Sequence, residues 1–75
     1  MVKWSLKDKA DSFFDFDYYV DGREDDHGVF RYFPDGPSWE TPQPAPGDLG
    51  HMFSNPIGCK FAREGIAEEG ALVWW

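Results

Sequence analysis

The chain has 75 residues, enough for one small domain and half of what would make a second plausible. Fourteen Asp and Glu against seven Lys and Arg leave it at −7, a balance that sets it against binding DNA, RNA or an anionic membrane surface. Aliphatic residues are scarce, but aromatics make up 19% of the chain and include four Trp, so the apolar area suffices for a compact core.

Val2, Trp4 and Leu6 alternate with Lys3 and Ser5, the period-two pattern of a short first strand with one buried face. After the polar connection 7–12, alternation resumes from Phe13 to Asp21. Phe14, Phe16, Tyr18 and Val20 fall on one face of that second strand, and Asp15, Asp17, Tyr19 and Asp21 on the other. A third run, Val29 to Phe33, stops at the turn signal Pro34-Asp35-Gly36-Pro37 and should pair with the second as an antiparallel hairpin. Asp21-Gly22 alone would make a two-residue turn, but it would set Asp17 opposite Asp26, so a longer acidic loop from Asp21 to Gly28 is preferred.

All six prolines lie between Pro34 and Pro56, together with Gly36, Gly47 and Gly50, which predicts a long loop without regular structure, pinned by Trp39 and Phe53. Asn55-Pro56 then reads as a helix start, with Asn as N-cap and a stop at Gly70. A helix from Pro56 to Glu69 places Ile57, Phe61, Ala62, Gly65 and Ile66 along one side, although Gly58 and Gly65 weaken it. A hairpin through Cys59–Arg63 and Ala71–Trp75 is the competing reading, and 71–75 suits a final strand in either case. The predicted fold class is therefore α+β: one domain over 1–75, with a small antiparallel β-sheet of three to four strands, one C-terminal helix and a long Pro-rich loop over 34–56.

The charge is localised. Eight of the fourteen acids lie between Asp8 and Asp26, opposed there only by Lys9 and Arg23. Asp15 and Asp17 stand about 6.7 Å apart on one strand face, and the loop carrying Asp21, Glu24, Asp25 and Asp26 extends the row, with Tyr19 on the same face. A charged outer face keeps a small aromatic-rich protein soluble and blocks edge pairing. Like charges on one strand face also cost stability, and a partner with a basic surface would remove that cost.

A very short, acidic, cysteine-poor chain with aspartates on a strand and its adjacent loop resembles the DNA-mimic inhibitors encoded by phages and mobile elements, anti-CRISPR and anti-restriction proteins among them. The resemblance lies in composition and charge layout over Asp8 to Asp26, about a quarter of the chain. It implies a protein that blocks a nucleic-acid-binding effector.

Enzymatic chemistry finds little footing. Asp15 to Val20 begins like a calcium loop but has Tyr at the fifth position, Val where the turn needs Gly, and Asp26 rather than Glu at the twelfth. His27 and His51 have no partner His or Cys at ligand spacing, so no metal is expected. No phosphate loop, nucleotide fingerprint or Ser/His/Asp set is present, so no catalytic residue and no cofactor is assigned. Cys59 is the only cysteine; it excludes an internal disulfide and reads as a small buried hydrophobe. With no signal-like or membrane-spanning stretch, the expected location is the cytoplasm of a bacterial host cell.

These readings converge on an expected acidic inhibitor that binds a basic nucleic-acid-binding protein or CRISPR effector complex through Asp15, Asp17, Tyr19, Asp21, Glu24, Asp25 and Asp26. It would compete with DNA or RNA without binding either, and without a membrane. The alternative is a small phage structural or accessory interaction module working through Trp39, Trp74 and Trp75. A chain of this size buries only about 60% of its unfolded surface, so a homo-oligomer would add to its stability.

Overall fold

The computed structural model describes residues 1–74. The elements in chain order are β1 (Val2–Lys9), β2 (Phe14–Val20), β3 (His27–Phe33), β4 (Ser38–Gln43), a 3-10 turn (Leu49–His51), α1 (Ser54–Glu64) and β5 (Glu69–Leu72). The strands form a single antiparallel sheet in the order β4-β3-β2-β1-β5. The α+β class with one C-terminal helix stands, with five strands where three to four were predicted.

Alternation sets the two faces of the sheet. Val2 and Trp4 from β1, Phe16, Tyr18 and Val20 from β2, and Phe30 and Tyr32 from β3 all point inward and are buried. Phe61 of α1 fills the centre of that face. Its ring centroid lies 5.6 Å from Trp4, 5.1 Å from Phe16 and 5.3 Å from Tyr32, and mixed edge-on and tilted stacking of this kind suits the quadrupoles of aromatic rings.

The β2–β3 connection is the longer of the two forms considered, a turn over 21–26 closed by the Val20 N–H donating to the Asp26 carbonyl at 2.9 Å. His27 and Gly28 belong to β3, and Asp17 faces Val29 rather than Asp26. The expectation that 34–56 lacks regular structure is corrected by β4. Pro42 fits there because an edge strand has one side on which no donor is needed, and the register shifts between Val29↔Gln43 and Arg31↔Glu40. Trp39 lies opposite Tyr32 and stacks on it with centroids 6.3 Å apart. It and Phe53 pack half-buried against the core, as the anchoring role predicted for them requires.

The helix starts and stops earlier than predicted. Its first N–H groups are met from outside: Asp48 Oδ1 accepts from Phe53 N at 2.7 Å and from Ser54 N at 3.2 Å. Asn55 is inside the helix and instead accepts from Trp39 Nε1 at 3.0 Å. Gly65 ends the helix at φ 90°, a left-handed conformation that side chains resist, with its N–H returned to the Phe61 carbonyl. Ile57, Gly58 and Phe61 form the buried stripe, whereas Ala62 is exposed. A Cβ at Gly58 would overlap the Trp39 indole. The residue that lowers helix propensity is therefore the one that lets the β4 tryptophan lie flat on α1. Cys59 is exposed, not buried, because it sits on the opposite side of this stripe.

Candidate partner-binding surface

The outer face of the sheet carries the acidic row, and the neighbouring strand engages two of its carboxylates. Arg31 stands directly opposite Asp15 in the β2–β3 register. Its Nε and Nη2 donate to the two carboxylate oxygens at 2.7 and 3.0 Å. The Phe13 ring covers the guanidinium at 4.1 Å and Glu40 of β4 approaches it at 3.7 Å, so Asp15 is 8% exposed. Hydrogen bonding to Asp15 raises the Arg31 pKa further above its already high value.

The other strand-face acids are likewise engaged. Asp17 Oδ1 lies 2.7 Å from His27 Nε2, and the imidazole stacks on Tyr19 with centroids 4.9 Å apart. Asp21 meets the Met1 amino group at 3.1 Å. The expectation of a row nearly unrelieved by basic groups is thus corrected. The partners are Arg31 and His27 of β3 and the Met1 amino group, all outside the acidic stretch.

The turn itself stays anionic. Arg23 approaches Asp25 at 3.5 Å, but both side chains are mostly exposed, and exposed pairs of this kind contribute little. Asp26 is spent on structure, accepting from the Gly47 N–H at 2.7 Å. Glu24 has no ion pair among the described residues. It lines a shallow polar cavity of about 280 Å³ with Lys3, Ser5, Tyr19 and Gly22. Of the residues predicted for partner binding, Tyr19 and Glu24 line this hollow, Asp21 and Asp25 belong to the same turn, and Asp15 and Asp17 lie further along β2 in closed pairs.

A second surface lies between α1 and β5. Pro56, Cys59 and Arg63 form one wall and Leu72, Val73 and Trp74 the other, enclosing about 410 Å³. Among the described residues the large exposed hydrophobics are Leu49, Met52, Val73 and Trp74, at 74%, 56%, 66% and 48%. The Trp74 ring also touches Phe53 at 5.5 Å. Trp39, grouped with Trp74 in the alternative reading, is instead a half-buried packing residue, and Trp75 lies outside the described residues. Met52, Leu49 and Val73 were missed by sequence reasoning, since isolated aliphatic residues carry no pattern that marks them as exposed.

Beneath the sheet, one buried polar network holds the connection to the helix. The Tyr18 hydroxyl donates to Asp48 Oδ2 at 2.6 Å and accepts from the Ala45 N–H at 2.9 Å. Burial pushes the Asp48 carboxyl up, but the hydrogen bonds from Tyr18, Phe53 and Ser54 outweigh it and hold the group below its usual range. Burial, reinforced by Asp48, pushes the Tyr18 phenol well above its ordinary value. Every polar atom of this cluster has a partner, so it reads as structural.

No described residues form a group of three or more His, Cys, Asp or Glu able to hold a metal ion, and among them no helix is long and apolar enough to cross a membrane. Comparison with family models, with curated proteins and with solved structures finds no match.

Proposed function

We propose that this chain acts by stoichiometric binding: an acidic inhibitor, phage or mobile-element encoded, that occupies the basic nucleic-acid-recognising surface of a bacterial defence complex such as a CRISPR effector. It performs no chemistry and competes with DNA or RNA in the host cytoplasm. The observation that supports this reading is the β2–β3 turn, where Asp21, Glu24, Asp25 and Asp26 fall within six residues with Arg23 as the single side-chain cation. The contact is centred on Glu24, Asp25 and Tyr19 rather than on Asp15 and Asp17, whose carboxylates are already engaged by Arg31 and His27. The test is a pull-down with tagged protein from cells carrying defence systems, eluted in a salt gradient. The expected partner is a nucleic-acid-binding complex that leaves at moderate salt, is displaced by added DNA or RNA, and is lost with Glu24→Lys/Asp25→Lys. A partner retained by the double variant overturns the reading.

A second reading, an interaction or assembly module, draws on the exposed Leu49, Met52, Val73 and Trp74. Under it, partner capture resists salt and is lost with Met52→Ser and Val73→Ser, while the acidic turn is dispensable.

A further inference from the structure

The strand β5 lies at one edge of the sheet, bonded on one side only, to β1. The register pairs Trp4 with Gly70 and Val2 with Leu72, and the Leu6 N–H donates to the Glu68 carbonyl at 2.6 Å. Hydrogen-bonded and non-bonded pairs alternate along an antiparallel ladder. Glu68, Gly70 and Leu72 therefore direct their backbone groups to β1, and Glu69 and Ala71 direct theirs outward, unpaired. The opposite edge is blunted by Pro42 in β4, whereas β5 has no proline and no lysine.

We propose that this edge pairs antiparallel with β5 of a second copy, around a twofold axis at Ala71, joining two five-stranded sheets into one. An edge strand is self-complementary under such an axis, since each outward N–H and C=O meets its own counterpart. Charge supports the second copy as the occupant. The register Ala71↔Ala71 carries each Glu68 to the position facing Trp74 of the other chain, beside the groove whose only charged lining residue is Arg63. Among the described residues Arg63, 68% exposed, reaches only its neighbour Glu64, at 3.5 Å, and Glu68 makes only a long, exposed contact with Lys9, at 3.9 Å, that contributes little. The two Glu68–Arg63 contacts are created together by the symmetry. In this register Leu72 of each copy, packed against its own core, lies opposite Gly70 of the other chain. The proposal uses the groove of the second reading above and is independent of the acidic turn.

Two chains at −7 repel, so pairing held by backbone bonds and apolar contact strengthens as salt screens that repulsion. This is the opposite of the salt dependence expected for a basic partner on the turn. The experiment is sedimentation equilibrium of the reduced protein from micromolar to millimolar concentration, at low and high salt. The expected mass rises with concentration from 8.6 kDa toward twice that value, and rises earlier at high salt. Ala71→Pro removes an outward N–H without touching the β1 ladder and is expected to be folded and monomeric. Should that variant fail to fold, Arg63→Glu weakens association at least tenfold, and adding Glu68→Lys restores it. A parent chain that stays monomeric throughout, a folded Ala71→Pro variant that associates like the parent, or a charge swap without rescue overturns the proposal. Glu24→Lys/Asp25→Lys, the variant that tests the acidic turn, leaves self-association in place.

Discussion

Asp15 and Arg31 face each other across β2 and β3 in a bidentate pair beneath the Phe13 ring, and this contact removes the central charge from the acidic face. Among the described residues the Asp15 carboxylate has no hydrogen-bond donor other than Arg31.

Arg31→Ala is expected to destabilise the fold by about 1–3 kcal/mol, because it leaves a mostly buried carboxylate unpartnered. Arg31→Lys recovers only part of the loss, since an ammonium does not reproduce the two-pronged geometry. Urea unfolding followed by Trp fluorescence measures both; equal stability of all three proteins would show the pair to be inert.

Tyr18→Phe leaves Asp48 Oδ2 and the Ala45 N–H without their partner and is expected to cost about 1–3 kcal/mol. Asp48→Ala is expected to cost more, as it also strips the Phe53 and Ser54 N–H groups at the start of α1. The check is the unfolding midpoint together with helical circular dichroism. A Phe variant as stable as the parent contradicts the structural role given to the hydroxyl.

The same pair sets a pH window. The Asp48 carboxyl is held below its ordinary value in the folded chain, so its contribution is complete above about pH 4 and is lost as pH falls through the folded value. Tyr18 is raised, so its contribution is complete below about pH 10 and is lost as pH rises toward the folded value. Tyr32, raised by burial, adds to the alkaline limb. In Tyr18→Phe the acid limb is shallower and the alkaline limb keeps only the Tyr32 part. Unfolding free energy measured across pH traces both limbs.

Gly58→Ala forces the Trp39 indole off α1 and is expected to destabilise by about 1–3 kcal/mol, although alanine is the better helix former by about 1 kcal/mol. Loss of the Trp39–Asn55 hydrogen bond would accompany it, visible as a shifted indole N–H resonance. A stabilised variant would mean that the ring moves aside freely.

Much of the fold was readable where one physical rule dominates. The alternation of Phe14, Phe16, Tyr18 and Val20 against Asp15, Asp17 and Tyr19 fixes both faces of β2, and the clash of Asp17 with Asp26 argues for the longer turn. Failures came where tertiary contacts override local preference. β4 was hidden because Pro42 disqualifies a central strand and not an edge. The helix boundaries moved because Asp48, six residues upstream of Ser54, supplies the cap, and no local spacing announces it. For the acidic face, the Asp15–Arg31 match follows once the hairpin register is known. The preference for a longer loop does not by itself set the register, so the opposing charge on β3 had no assigned place and the row read as unrelieved.

The Tyr18 hydroxyl is the single point where the middle strand of the sheet, the chain crossing beneath it at Ala45 and the cap of α1 meet. Releasing any one of the three deprives the other two of a partner in a region closed to water. The helix start and the proline-rich crossing therefore exchange their amide hydrogens as one cooperative unit with β2, not as a loop fraying alone. A segment that composition marks as the loosest part of the chain is tied to its most protected strand.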